Sequence, residues 1–144
     1  MNTTTRLCDI ESLVPALSSM LAPIISTSER VLVCVENTYS TGHGTALAAI
    51  VLTPQYLYYA FQDLQPDALV KVAPSSQELS GMRERIALQD ISAIERRITQ
   101  AGYHQLVIYD PSGSRFVSCE FSSEYIIDMF IKALSQVGLS VKNV

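Results

Sequence analysis

No apolar run of about 18 residues occurs in this sequence, so no segment is expected to cross a bilayer as a helix. Positive charge is also short. Ten Lys and Arg stand against fourteen Asp and Glu, a formal net charge of −4. A nucleic-acid binder needs a basic face for phosphates, and anionic bilayers attract basic stretches, so neither is the expected partner. Cysteine is scarce: Cys8, Cys34 and Cys119 are odd in number and far apart. No CxxC and no Cys/His spacing suits zinc, so no metal is expected. Cys34 and Cys119 lie in apolar runs, where a free thiol behaves as a small hydrophobe. A reducing compartment, and so a cytoplasmic location, fits this usage.

Catalytic signatures are missing too. There is no GxSxG, HExxH, P-loop or paired-carboxylate arrangement. His43 in TGHGT lacks the third glycine and following helix of a phosphate-cradling loop, and it reads as an exposed loop residue. His104 precedes a strand with no partner suggested by spacing. No enzyme and no cofactor are expected. Arg6 precedes LVPALSSMLAPII, but Asp9, Glu11, Pro15 and Pro23 interrupt it, so a signal peptide is not expected. TRLC lacks the small residues of a lipoprotein context.

What is present describes a globular chain. With 144 residues, 48% apolar and 17% charged, it is one domain able to bury a core. Residues 1–8 read as a polar, frayed start. Between 9 and 25, Ile10, Leu13, Val14, Leu17, Leu21 and Ile24 share one helical face. Pro15 suits the first turn if Ser12 is the cap, and Pro23 ends the helix near 22. The period then changes to two. Val31, Val33 and Val35 alternate with Leu32, Cys34 and Glu36 as a strand, NTYSTGHG (37–44) reads as a loop, and Thr45–Thr53 and Tyr56–Gln62 flank a TPQY turn. Residues 63–83 read as a long irregular loop. Strands follow at Arg85–Leu88 and Ala93–Thr99. A hairpin, Gln105–Asp110 and Arg115–Phe121, turns on DPSG.

The last element is the clearest. In SSEYIIDMFIKALSQVG (122–138), Ser122 or Ser123 can cap, and Glu124 and Asp128 favour the positive end of the dipole. Ile126, Phe130, Ala133, Leu134 and Val137 form one face, and Gly138 can take the left-handed C′ conformation. Burying Ile126, Phe130, Leu134 and Val137 is worth roughly 1.5–3 kcal/mol each as an upper figure. Ile127, Met129 and Ile131 widen the apolar arc to roughly 200°, more than a lid requires. They are the candidate contact face for a partner or a second copy, with cover by the N-terminal helix as the structural explanation.

Seven strands followed by a helix resemble the pleckstrin-homology-like superfold. SERVLVCVEN (28–37) followed by GTALAAIVLTPQYLYYAF (44–61) looks like the opening of GRAM and bacterial PH domains, and RIALQDISAIERR (85–97) resembles their next strand pair. The resemblance covers about residues 28–138. It implies an α+β fold: a seven-stranded antiparallel barrel or sandwich closed by a C-terminal helix, here with an extra N-terminal helix. Members of this superfold bind lipid headgroups, peptides and protein partners, or self-assemble. Phosphoinositide-binding members carry Lys and Arg in the first inter-strand loop, whereas 37–44 has neither.

The expected function is a non-enzymatic protein-interaction or assembly module. Arg83, Arg85, Arg96 and Arg97 are the alternative, an anion or acidic-peptide site, against a structural reading as a charged sheet edge. Tyr56 and Tyr58 are a candidate aromatic surface. A small acidic secretion-type chaperone is a third reading, marked by five strands and a middle helix at 63–83.

Overall fold

A computed structural model describes residues 2–41, 44–63 and 81–144. Within them the chain forms an α+β fold of two helices and nine strands in two sheets, neither closed into a barrel. The first sheet is an antiparallel meander, β1 (Asn2–Leu7), β2 (Val33–Thr41), β3 (Gly44–Leu52), β4 (Tyr56–Asp63) and β5 (Gly81–Ala87). The second holds β6 (Ala93–Ile98), β7 (His104–Tyr109) and β8 (Arg115–Phe121), with β9 (Lys142–Asn143) parallel to β6 at its edge. Helix α1 (Pro15–Leu21) follows β1, and α2 (Glu124–Gln136) follows β8. Among the described residues no helix is long and apolar enough to cross a membrane.

The expected strands recur with small shifts, and β1 and β9 are additional. Residues 1–8 are not frayed from Asn2 onward. Thr3 and Thr5 are buried, and the alternation is polar on both faces, so no hydrophobic period announces it. Most of 37–44 is likewise strand, because Asn37 to Thr41 continue β2 against β3. His43 lies outside the described residues, as does the loop at 63–83 except for its ends in β4 and β5.

The first sheet is covered on both faces. Alternation on β4 sends Tyr58 and Ala60 to a core with Leu13, Leu17 and Leu21 from the α1 region. Leu57 goes instead to the larger core, with Val35, Ile50 and Leu52. The second sheet adds Leu106, Ile108, Val117 and Phe121 to that core, and α2 adds Ile126, Ile127, Phe130 and Leu134. The layers therefore run α1, first sheet, second sheet, with α2 against β1, β2 and β8.

Helix α1 starts later than the spacing suggests. Pro15 occupies its first turn, but Val14 is the N-cap, and Ser12 closes a 3-10 turn over Ile10–Ser12. Ser123 caps α2 by accepting from the Ile126 N–H at 3.3 Å. At its other end Gly138 has φ 87°, and the Leu139 N–H donates to the Leu134 carbonyl at 3.0 Å. Replacing Phe130 by Ala should cost about 3–5 kcal/mol in urea unfolding, against within about 0.5 kcal/mol for exposed Ile98→Ala.

Candidate interaction site

The broad apolar arc of α2 is used mainly within the chain. Ile127 is 0% exposed and packs in the core, and Ile131 is half-buried against it. Ile127 is therefore not a surface contact. The cause is the position of α2, flanked by both sheets, so side chains well off its central stripe are covered. Nor does α1 supply that cover, since it lies across β3, β4 and β5.

What remains outside is a second stripe. Tyr125 is 69% and Met129 38% exposed. With Lys132 and Gln136 they recur at i, i+4, i+7 and i+11, one line along the helix. Leu32 and Val33, entering β2, form the opposite wall of a groove of about 420 Å³ with Tyr125, Met129, Lys132, Ala133 and Gln136. The spacing of Tyr125 and Lys132 from Met129 is legible in the sequence; the wall from residues 32 and 33 is not.

The four arginines do not converge. Arg83 and Arg85 lie on β5 of the first sheet, and Arg96 and Arg97 on β6 of the second. Each has an intramolecular partner. Arg83 Nη1 donates to the Met20 carbonyl in the last turn of α1 at 3.0 Å, where a cation suits the dipole. The Arg85 guanidinium lies 4.5 Å from the centre of the Tyr56 ring. Arg96 pairs with Asp128 of α2 at 2.6 Å, and Arg97 with Glu95 at 2.6 Å. Hydrogen bonds from Tyr109 and Arg97 hold the Glu95 carboxyl below its usual range. The aromatic surface is corrected too. Tyr58 is fully buried under α1, because Tyr56, Tyr58 and Ala60 face that helix, and Tyr56 is half-buried.

Two carboxylates fasten the α1 layer. Glu36 on β2 is 3% exposed. Its Oε1 accepts from Arg6 Nε at 2.6 Å and its Oε2 from the Val14 N–H at 2.8 Å, where α1 begins. In the segment after α1, Glu29 accepts from the Tyr58 hydroxyl, the Ser26 N–H and the Thr53 hydroxyl. Partial burial opposes ionisation of Glu29. These hydrogen bonds and the charge of Arg85 outweigh it and hold the carboxyl below its usual range.

A polar seam joins the sheets. Thr5 N–H donates to Ser122 Oγ at 2.9 Å and Ser122 N–H to Thr5 Oγ1 at 2.8 Å, while Thr3 N–H reaches the Tyr103 hydroxyl at 3.2 Å. The outward N–H groups of Thr3 and Thr5 on edge strand β1 are thereby occupied. Asn37 completes the seam, accepting from the Thr5 hydroxyl at 2.6 Å and donating to the Glu120 carbonyl at 2.5 Å.

Among the described residues, no group of three or more His, Cys, Asp and Glu is placed to hold a metal ion. Cys8 and Cys34 are brought together, their Sγ atoms 3.4 Å apart, which spacing in the sequence does not suggest. His104 Nδ1 lies 3.4 Å from Arg96 Nη2. No family model matches this chain, and neither does any curated protein or solved structure.

Glu36→Ala leaves the Val14 N–H without its acceptor and should lower stability by about 1–3 kcal/mol in urea unfolding, with Glu36→Gln milder because its amide oxygen still accepts. For Glu29 the sign follows from its lowered value. Its contribution is complete above the ordinary value of 4.5 and lost as the pH falls through the lower folded value. Urea midpoints should therefore separate wild type from Glu29→Gln by a constant margin above pH 4.5 that shrinks below it. A margin independent of pH would contradict the assignment.

Proposed function

We propose that this chain is a non-enzymatic assembly module on a PH-like scaffold, pairing with a second copy of itself along α2. The observation that carries the reading is the exposed stripe of Tyr125 and Met129 beside Leu32 and Val33. Large apolar side chains gathered at one groove favour a contact more than scattered ones do.

Charge order along α2 favours a second copy as the occupant. Glu124 and Asp128 lie in its first half and Lys132 in its second. An antiparallel pair centred on Met129 sets Lys132 of each copy within about a turn of Glu124 of the other, Asp128 being held by Arg96. It also opposes the helix dipoles.

Strand order supports the PH-like part. From β2 to β8 the chain makes four antiparallel strands, passes to a second sheet for three more, and ends in α2. In this reading β1, α1 and β9 are additions, and the scaffold is the open two-sheet form. Seven of the described strands, β2 to β8, run up to the last helix and favour this scaffold over a secretion-type chaperone with five; the middle helix that would mark the chaperone, at 63–83, falls mostly outside the described residues. The alternative of anionic-lipid or acidic-peptide binding has less support, because the four arginines are divided between two sheets and each has a partner.

Size-exclusion chromatography with light scattering over a concentration series should show the mass doubling. Met129→Glu should return it to one chain, while Ile98→Glu, exposed on β6, should leave the doubling intact. A single-chain mass at the highest concentration would end the self-pairing reading.

A further inference from the structure

The register of β1 on β2 makes Cys8 and Cys34 direct neighbours. Leu7 stands opposite Val35, and one step further the Cys8 N–H donates to the Cys34 carbonyl at 3.1 Å. Residues directly opposed on antiparallel strands have Cα atoms about 4.5–5.5 Å apart, inside the range that a disulfide accepts. The Sγ atoms are 3.4 Å apart, in direct contact, and a bond brings them to about 2.05 Å.

The two thiols are not equivalent. Cys34 is 2% exposed and belongs to the core under α1, whereas Cys8, just past the end of β1, is half-buried and faces solvent in part. Contact with the Cys34 thiol, against partial burial and with the charge of Arg6, holds the Cys8 thiol below its ordinary value. The same contact, together with burial, pushes Cys34 up. Arg6 is itself fixed, donating to Glu36 Oε1 and, through Nη2, to the Ser12 carbonyl at 2.6 Å. A cation, paired with Glu36, therefore stays beside the half-buried sulfur, as in reactive thiols generally. Cys119 differs: it is buried in the other core, where burial pushes its thiol up to about 12.

We propose that Cys8 and Cys34 form a reversible thiol–disulfide site for low-molecular-weight disulfides, with Cys8 as the attacking sulfur and Cys34 as the resolving one. The Cys8 thiolate attacks one sulfur of the small disulfide, forming a mixed disulfide and releasing one thiolate, which takes a proton from water. Cys34 then attacks Cys8 Sγ, and its proton passes to the second small thiolate as that leaves. Two protein thiols are oxidised, and one small disulfide is reduced to two thiols. The bond closes a loop that contains α1 and restrains the unfolded chain.

Full-length chain treated with glutathione disulfide should lose the mass of two hydrogens, yield a peptide linking Cys8 to Cys34, and recover with a dithiol reductant. Its urea midpoint should rise on oxidation. Cys34→Ala should stop at one glutathione adduct on Cys8 with no such rise, and Cys8→Ala should stay unmodified while folded. A lasting glutathione adduct on the wild-type chain, a bond to Cys119, or thiols that react only in denaturing urea would each overturn the assignment.

Discussion

A nearly buried carboxylate on β2 sets the relation of the layers. Glu36 faces the α1 side of the first sheet and there joins Arg6 of β1 to the backbone where α1 starts. The next residue, Asn37, points to the opposite face and binds Thr5 and the Glu120 carbonyl at the start of the polar seam. Successive strand residues face opposite ways, so two adjacent positions hold three layers together. Neither side chain can be left unpaired, because a polar group buried without a partner costs its full desolvation. This requirement fixes how α1 and the second sheet dock on β2 more narrowly than apolar contact does, since hydrophobic attraction has no direction.

The second sheet and α2 follow from that placement. Once β1 is tied to Ser122 and Tyr103, the end of β8 lies beside β1 and the following helix packs against β1, β2 and β8. A helix lying against two sheets buries a wider arc than one resting on a single sheet, which accounts for the burial of Ile127 along with Phe130. The same placement leaves Tyr125 and Met129 on the remaining side, against Leu32 and Val33. The groove is therefore a by-product of where the two sheets meet, and its polar end carries Lys132.

Charge is largely committed to holding elements together. Arg83 closes the end of α1, Arg96 ties β6 to α2, and Arg97 stays on its own strand with Glu95. Such partly exposed pairs contribute little, so their value is in orientation more than in stability. Chain ends are used similarly: β9 lies along β6, and the Val144 N–H donates to the Arg96 carbonyl at 3.0 Å.

Local chemistry made much of this legible in the sequence. The span of α2 follows from Ser123, the recurrence of Ile126, Phe130 and Leu134, and the conformational freedom of Gly138, all within a few turns of chain. The alternation in β4 and the DPSG turn are equally local, and the order of strands between residues 33 and 121 follows from them. Contacts between residues distant in sequence were decided only by the tertiary structure. Nothing near Thr3 or Thr5 announces a buried strand, because their partners are Ser122, Tyr103 and Asn37. The arginines read as a cluster because 83, 85, 96 and 97 are close in sequence, yet the passage from β5 to β6 carries the chain from one sheet to the other. Cys8 meets Cys34 through strand register, and the outer stripe of α2 meets Leu32 and Val33 through packing. Periodicity determines which face of an element is apolar; which neighbour covers that face depends on how the whole chain closes, and here polar pairs on β2 direct that closure.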